Sequence, residues 1–525
     1  MPTTLSSSIS SLRALSRRVR ERNASATEGR RSLYNRLTDV FSRTWDLGFT
    51  AFGGPPVHFR IFHQRFVEGK GGKPTWVDEQ TYQELFAICQ ALPGPGSTKM
   101  LFCLTLLHAG FLPAVFVFII WSLPGAIGMY SLSLGVQNIN SNLPLPVYAL
   151  LSGMNASTVG IIALAAVQLA EKAIRDRLSR ILVIFGACAG LCYNSLWYFP
   201  VLMLIGGLAC VVWDGFLSQQ IGKAVARLKR KMRNPEAAME ETGTAESVAV
   251  EMMPSTLTSI QKRPAAARLH RSGEPASMQE TPEHTTPPHR VPAEDSLQHV
   301  IKVWVGITIL ISFLISFIGI IVSRGVIQTA PLALDIFANM YLAGTIIFGG
   351  GPVVIPLLRS YVVDPGWVSG RDFLFGLAII QAFPGPNFNF AVFLGALALQ
   401  HSEFPTILGA FLGFFGIFFP GIALAVAVQS FWRVLRTKKL VVDLLRGLNA
   451  TAVGLVFTAV YRLWEIGYLT PTANSGQSLA MEPWWVLVAA VTYSESAWFN
   501  VPPALAIVIG AVLGLGWYGV VGRRN

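Results

Sequence analysis

Charged residues are scarce in this chain of 525 residues. Asp, Glu, Lys and Arg together make up 13% of it, about half the share that is usual in a soluble globular protein. Apolar runs take their place, such as Leu112–Leu134 and Val303–Val322, and a helix needs about 20 mostly apolar residues to cross a bilayer. The scarcity of charge therefore excludes a soluble globular protein and predicts an all-α polytopic membrane protein.

Acidic residues are fewer than basic ones, 29 against 41, which leaves a formal net charge of +12. The basic residues gather in the tails and in some loops, as expected on the cytoplasmic side of a membrane protein, so no nucleic acid partner is expected. The five cysteines all lie in apolar segments, a placement typical of packing positions and not of a disulfide framework.

The sequence also lacks the patterns of an enzyme. The stretch PGPGSTK, which begins at Pro93, resembles a phosphate-binding loop but lacks its GxxxxGK[ST] spacing and the flanking β-strand. No metal-ligand cluster or catalytic triad stands out, so no metal and no cofactor are expected. An enzyme acting on phosphorylated lipid is disfavoured, because no His/Asp constellation occurs in a cytoplasmic loop.

The apolar pattern divides the chain into five segments. Residues 1–36 are predicted to be a basic cytoplasmic tail, with a mitochondrial transit peptide as the alternative because the start of the chain carries no acid. Residues 217–298 are rich in Pro, Glu, Ser and His and are predicted to be a disordered cytoplasmic linker. This linker separates a first repeat, 37–216, from an unpaired transmembrane helix, 299–323, and a second repeat, 332–521.

The two halves of the chain repeat each other. Five anchors recur in the same order and at a nearly constant offset, which chance does not produce. They are FGGPPV at Phe52 and FGGGPV at Phe348, WVD at Trp76 and WVS at Trp367, QALPGP at Gln90 and QAFPGP at Gln381, Pro124-Gly125 and Pro420-Gly421, and GMNASTVG at Gly153 and GLNATAVG at Gly447.

The repeats are predicted to be inverted. The loop 136–144 is uncharged and 171–180 is basic, whereas the matching loops of the second half are basic at 431–440 and uncharged at 466–480. By positive-inside counting the halves cross the membrane in opposite senses, and the unpaired helix reverses the second one. We expect six spans, one and six, about 13 in all, with the N-terminus inside and the C-terminus outside.

Both repeats are interrupted by Pro-Gly-Pro, at 93–95 and at 384–386. Proline breaks a helix, and in lipid the freed backbone groups are tolerated only where they are buried or line a polar cavity. The half-helices on either side are too short to span alone, so each pair is predicted to cross the membrane once through its break.

Inverted repeats with broken helices are typical of secondary transporters, whose site lies near the midplane between the repeats. The N-terminus of a helix that starts at a break suits a small anion. The residues at the breaks and in the neighbouring glycine-rich stretches are therefore the candidate substrate-binding set. They are Gly53, Gly54, Gly94, Gly96, Ser97, Thr98, Lys99, Gly350, Gly351, Gly385, Asn387 and Asn389.

Three further residues are candidates for charge or coupling, namely Glu84, His58 and Arg60. A lysine within a span is energetically costly, so Lys99 is a functional candidate. The alternative explanation of its position is that it snorkels to the interface or pairs with Glu84. For His58 and Arg60, the alternative is that they lie at the membrane interface and have no role in transport. The recurring Asn-Ala-Ser/Thr stretches lie within apolar spans, so they are predicted to serve helix packing and not glycosylation.

The paired motifs FGGPPVHF, QALPGPGSTKM, FGGGPVVIPLL, GWVS, QAFPGPNFNFAVFLGA and LNATAVGL resemble the chromate ion transporter family, the CHR superfamily. The resemblance covers roughly Leu47–Leu169 and Ala343–Trp464, and the long linker is similar to that of the fungal long-chain members. It implies transport of chromate, a tetrahedral dianion shaped like sulfate, and chromate resistance. The chain departs from the family pattern at Pro352 and at Lys99.

We therefore expect a chromate carrier that works by alternating access between the repeats. A carrier mainly for sulfate or another oxyanion, and an oxyanion channel, are the alternatives. The expected partners are the small oxyanion and the bilayer, with a homodimer left open. The plasma membrane is favoured over a mitochondrial membrane.

Overall fold

The computed structural model describes residues 32–70, 74–139, 143–193, 198–217, 302–327, 330–347, 358–435 and 437–522. The predicted linker falls almost wholly outside these ranges, as does most of the predicted tail. Gly350 and Gly351 also lie outside the described residues.

The described chain is almost entirely helical, as the sequence predicts. The helices are α1 (32–44), α2 (Leu47–Thr50), α3 (Gly54–Phe66), α4 (Glu79–Ala91), α5 (Gly96–Ala109), α6 (Phe111–Gln137), α7 (Leu145–Ala173), α8 (Arg177–Cys192), α9 (Tyr198–Val212), α10 (Val303–Val326), α11 (Leu332–Ile346), α12 (358–362), α13 (Gly370–Ala382), α14 (Phe390–Ala398), α15 (Thr406–Leu435), α16 (Lys439–Trp464), α17 (Pro483–Trp498) and α18 (Pro503–Trp517). One β-hairpin, β1 (Tyr468–Thr470) and β2 (Ala473–Gln477), follows α16.

The first predicted span is a hairpin that turns back on itself. Its arms are α1 with α2 and then α3, and the chain reverses at Gly53 and Gly54, whose φ values of 100° and 75° lie in the left-handed region. Arg65, near the end of α3, donates to the Asp46 carboxylate over 2.6 and 2.9 Å. Because these two residues lie far from the turn on opposite arms, the arms run antiparallel. We call this the first hairpin.

The helices around the first Pro-Gly-Pro also fold back. The side chains of Cys89 on α4 and Cys103 on α5 are neighbours within one buried cluster. In a helix that continued through the break, these residues would lie about 1.5 Å apart per intervening residue, well out of contact. The expectation that this pair crosses the membrane once is therefore wrong, and α4 and α5 form a second hairpin with its tip at 93–95.

The second repeat contains two matching hairpins. In the third hairpin, the Asn339 amide of α11 donates to the Tyr361 carbonyl of α12 over 2.8 Å. In the fourth hairpin, the rings of Phe373 on α13 and Phe390 beyond the second Pro-Gly-Pro lie 5.2 Å apart, and Gly376 packs against the ring of Phe393. This pair, too, turns back at its break and does not cross.

Seven helices of the described chain are long and apolar enough to cross a membrane: α6, α7, α9 with its π-helical extension, α10, α15, α16 and α18. Two helices of 16 residues, α8 and α17, complete the repeats. The all-α polytopic fold is as predicted. Within the described ranges, each repeat contains two hairpins and four further helices, and the predicted total of about 13 spans counts each hairpin as one span.

The crossing helices of the two repeats run in opposite directions, as predicted. Arg446 at the start of α16 donates to Asp176 in the loop after α7 over 2.8 Å. At the other end of the same pair, Tyr148 near the start of α7 donates to Asn474 after α16 over 2.6 Å. Because α7 and α16 are repeat equivalents, their antiparallel pairing places the two basic loops at one end of the molecule. We call this the basic end.

The repeats are also intertwined. The helix α16 packs against α8 and α9 of the first repeat, while α7 packs against α17 and α18 of the second. Glycines form these contacts: Gly447 faces Gly206 and Gly153 faces Gly510, with no room for a Cβ in either place. Close approach of backbones at small residues is how helices associate in lipid, and the recurring Asn-Ala-Ser/Thr stretches serve this packing.

Candidate functional site

The hairpin tips of the two repeats meet in the centre of the molecule. The Gly94 N–H of the second hairpin donates to the Ile347 carbonyl at the end of α11 over 2.6 Å. The Gly385 N–H of the fourth hairpin donates to the Ala51 carbonyl of the first over 2.9 Å. Each bond crosses between repeats, and the two are related by the repeat symmetry because Ala51 and Ile347 occupy matching positions.

A Pro-Gly pair in a crossing helix supports each tip of the opposite repeat. A Cβ at Gly421 in α15 would lie 2.9 Å from the Cα of Gly94. In α6, a Cβ at Gly125 would overlap the amide of Asn389 at the other tip. These glycines let a helix backbone approach a broken backbone closely, which holds the tips in place.

A small cavity, with room for about one water molecule, lies between the tips. Both repeats line it: the first contributes Pro55, His58, Pro95, Gly96 and Ser97, and the second contributes Pro386, Asn387 and Phe388.

Helices begin at this cavity from two sides. The helix α5 starts at Gly96 and a 3₁₀ turn leading into α14 starts at Asn387, and neither start has a side-chain cap. The first N–H groups of a helix have no partner within it, and they carry the positive end of its dipole. The two starts therefore offer backbone donors to an anion from opposite sides.

His58 and Ser97 form a buried pair at the cavity wall. The imidazole Nδ1 lies 3.1 Å from the Ser97 hydroxyl, and Nε2 lies 3.1 Å from the Ala51 carbonyl oxygen. A carbonyl oxygen only accepts, so Nε2 carries a hydrogen and donates to Ala51. The Ala51 carbonyl thus receives hydrogen bonds from both His58 and Gly385.

The chain matches a known family over both repeats. The chromate transporter family profile covers residues 38–211 and 334–515, well over half of the chain. The chain belongs to the chromate transporter family.

Two curated chromate transporter relatives cover nearly all of the chain. A chromate transport protein of Pseudomonas aeruginosa is 22% identical over 482 residues, 91% of each chain. A probable chromate transport protein of Synechococcus elongatus is 23% identical over 489 residues, 91% of this chain and 94% of its own. An uncharacterized transporter of Bacillus subtilis, YwrB, is 32% identical over 130 residues, 25% of this chain and 59% of its own. No solved structure matches this chain significantly.

Lys99 lies behind the second hairpin tip and not in the cavity. Its ammonium donates to the Leu92 and Pro93 carbonyls over 2.6 and 2.8 Å, and the residue is fully buried. Among the described residues no carboxylate lies within ion-pair distance of it, and Glu84 hydrogen-bonds Gln80 instead. The helical turn that lines the cavity therefore carries a buried lysine that has no carboxylate partner among the described residues.

The other predicted residues divide between the cavity wall and its support. Thr98 accepts a hydrogen bond from the Trp121 indole over 3.0 Å, and the Asn389 amide donates to the Ser122 carbonyl over 2.9 Å. Both contact protein and do not line the cavity, although the Asn389 Oδ1 is buried without a hydrogen-bond partner. Arg60 is exposed on α3, away from the lining residues.

Sequence reasoning missed several residues of the site. Phe388 and Pro55 line the cavity, and Trp121 packs edge-on against His58 at 5.0 Å between ring centroids. One feature of the sequence could have indicated Trp121 as a site residue, namely its position three residues before the repeated Pro124-Gly125. No three His, Cys, Asp or Glu side chains of the described chain are grouped to hold a metal ion.

Proposed function

We propose that this protein carries chromate across a membrane, with the cavity between the hairpin tips as the binding site. The observation that carries the proposal is the convergence of two uncapped helix starts, from opposite repeats, beside the buried charge of Lys99. Chromate is a tetrahedral dianion with acceptor oxygens in every direction. Backbone N–H groups from two sides, the Ser97 hydroxyl and the Asn387 amide match that arrangement.

The charge of Lys99 is an electrostatic argument that the substrate is an anion. A buried ammonium is costly even when two carbonyls accept its hydrogen bonds, because no carboxylate among the described residues balances its charge. A dianion in the cavity would be its counter-charge, and the two would stabilise each other strongly where water is scarce. A neutral substrate would leave this cost uncompensated.

We propose alternating access because the two repeats differ in packing. On α4, Gln83 and Ala87 are exposed, whereas their repeat equivalents on α13, Leu374 and Ala378, have exposed fractions of 1% and 0%. The exposed face of α4 also carries Gln80, so it suits water and not lipid. Leu85 of α4 belongs to a buried cluster that Phe431 and Leu435 beside the basic loop 431–440 pack against, so we interpret this arrangement as a carrier open toward the basic end and closed at the other. If α4 became buried as α13 is now, and α13 became exposed as α4 is now, the opposite side of the carrier would open.

The same geometry bears on the alternatives. A channel needs a continuous path, and the burial of the α13 face favours a carrier over it. Sulfate has the shape and charge of chromate, so the donors that we assign to the cavity do not by themselves select between them. Competition between chromate and sulfate in the flux assay distinguishes the two substrates.

The test is radiolabelled chromate flux in proteoliposomes of the purified protein, with sulfate as competitor and with imposed pH gradients. We expect saturable chromate flux, and a large loss of that flux in Asn387→Ala. Asn138→Ala, at the exposed end of α6, is the matched control. Flux that does not saturate would indicate a channel. Abolition of chromate flux by low sulfate would indicate a sulfate carrier, and absence of flux with either anion would refute the proposal.

We propose the plasma membrane as the location, since the basic N-terminal residues suit a cytoplasmic tail. A fluorescent fusion imaged beside plasma-membrane and mitochondrial markers tests this assignment. Mass photometry of the purified protein tests the homodimer.

A further inference from the structure

The His58–Ser97 pair can exist in two hydrogen-bonded arrangements that differ by one proton. When the imidazole is neutral, Nε2–H donates to Ala51 and Nδ1 has only a lone pair. The Ser97 hydroxyl must then be the donor over the 3.1 Å separation. In this arrangement the serine hydrogen points at His58 and not at the cavity.

Protonation reverses the bond. A proton added to Nδ1 makes that nitrogen a donor, and the Ser97 oxygen becomes the acceptor. The serine O–H is then free to rotate toward the cavity, which Ser97 and His58 both line. The bond between Nε2–H and the Ala51 carbonyl is unchanged, so the ring stays in place while one donor is added to the anion site.

We propose that His58 is the proton-coupling residue of the carrier, and that it acts through Ser97 so that a proton and the oxyanion bind together. The inference rests on the proposed function, because it assigns a coupling ion to the same cavity. Binding linkage is reciprocal, so a proton on His58 raises oxyanion affinity and a bound oxyanion raises the proton affinity of His58. The positive imidazolium also adds directly to the field at the anion.

His58 is the titratable residue among those that line the cavity. Of the described groups on the elements packed against it, only Ser97 and the Ala51 carbonyl hydrogen-bond the imidazole. The titratable and charged groups on those elements are Arg60, His63 and Arg65 on α3, Glu79, Tyr82, Glu84 and Cys89 on α4, Lys99, Cys103 and His108 on α5, Tyr130 on α6, and Asp46 before α2. Lys99 lies within three residues of two lining residues, Gly96 and Ser97, and its charge makes a second cation favourable only when the anion is present.

The test is the affinity of the purified full-length protein for radiolabelled chromate between about pH 5.5 and pH 8. Chromate itself takes up a proton in this range, so the informative quantity is the ratio of wild-type to variant affinity, in which that contribution cancels. We expect the ratio for His58→Gln to rise as the pH falls, by up to about tenfold per pH unit. His401→Gln, a matched change in an exposed loop, should give a constant ratio.

Ser97→Ala tests whether His58 acts through Ser97, and it also replaces His58→Gln as the test if that variant does not fold. The melting temperature of each variant shows whether it is folded. Removing the hydroxyl should reduce the gain in affinity at low pH to the part that the imidazolium charge supplies directly, whereas retention of the full gain would overturn the relay. An identical pH dependence of wild type and His58→Gln would overturn the inference and leave the proposed function intact. Failure of the wild type to bind either chromate or sulfate would refute the proposed function itself. Binding of sulfate alone, with the same loss in His58→Gln, would support the coupling and change the substrate.

Discussion

The amide nitrogen of Gly94 lies 2.6 Å from the carbonyl oxygen of Ile347, and this bond joins the tips of hairpins from opposite repeats. Its symmetry partner joins Gly385 to Ala51 over 2.9 Å. A buried backbone donor without a partner costs about 1–3 kcal/mol. The two breaks therefore satisfy their freed backbone groups through each other's repeat, which stabilises the contact around the cavity.

The glycines of the two tips should differ in their tolerance of alanine. Both have left-handed backbones, with φ of 97° at Gly94 and 82° at Gly385, and this conformation costs an alanine about 1–2 kcal/mol. A Cβ at Gly94 would also lie 2.6 Å from the Cα of Gly421, whereas at Gly385 its nearest neighbour would be 3.3 Å away. We expect Gly94→Ala to lower the melting temperature of the purified protein more than Gly385→Ala. An equal or reversed order would contradict this description of the tips.

Lys99→Met should separate electrostatic attraction from structural support. Removal of the buried charge relieves a desolvation cost but leaves the Leu92 and Pro93 carbonyls without their donor. Because the two effects oppose each other, thermal stability in the absence of anion should change little. Chromate affinity should fall by about tenfold or more, because the cavity loses a nearby positive charge. Melting curves with and without chromate, together with equilibrium binding, measure both quantities. Lower stability with unchanged affinity would show that Lys99 only braces the Leu92 and Pro93 carbonyls.

The unequal burial of α4 and α13 predicts unequal labelling. In a background without the native cysteines, Ala87→Cys should react quickly with a water-soluble maleimide and Ala378→Cys slowly. A membrane-impermeant reagent should reach position 87 from the basic end only. If the two packings exchange during transport, saturating chromate should change the two rates in opposite directions. Fast labelling of both positions at all times would favour a channel.

The link between Arg446 and Asp176 predicts an acid-dependent loss of stability. Burial alone would raise the pKa of Asp176, but hydrogen bonds from Ser179 and the charge of Arg446 outweigh it, and the pKa is lowered from 3.8. A lowered carboxyl pKa stabilises the fold above the ordinary value, and the effect is lost as the pH falls through the folded value. Asp176→Asn keeps an N-cap for α8 but removes the charge. The stability difference from wild type should be modest at neutral pH, should shrink below about pH 4, and should also shrink in high salt. A difference independent of both conditions would exclude the ion pair as its source.

The residues of the candidate site were predictable in part from the repeats. Pro-Gly-Pro at matching positions indicated Gly96, Ser97 and Asn387, which the structure places at the cavity. Lys99 follows them directly in sequence, yet its long side chain reaches back to the carbonyls at the end of α4. Sequence order places a residue on a helix turn, but the direction of a flexible side chain depends on which acceptors the fold brings near it.

The membrane class, the repeat and its inversion follow from the sequence alone, because they depend on composition, motif order and loop charge, which folding does not alter. The turning back of the half-helices was decided only by tertiary structure. A short apolar helix, a break and a second short apolar helix have the same local pattern whether the chain continues or reverses. The difference lies in contacts such as those of Cys89 with Cys103 and of Phe373 with Phe390, and in the carbonyls that the opposite repeat offers to each tip.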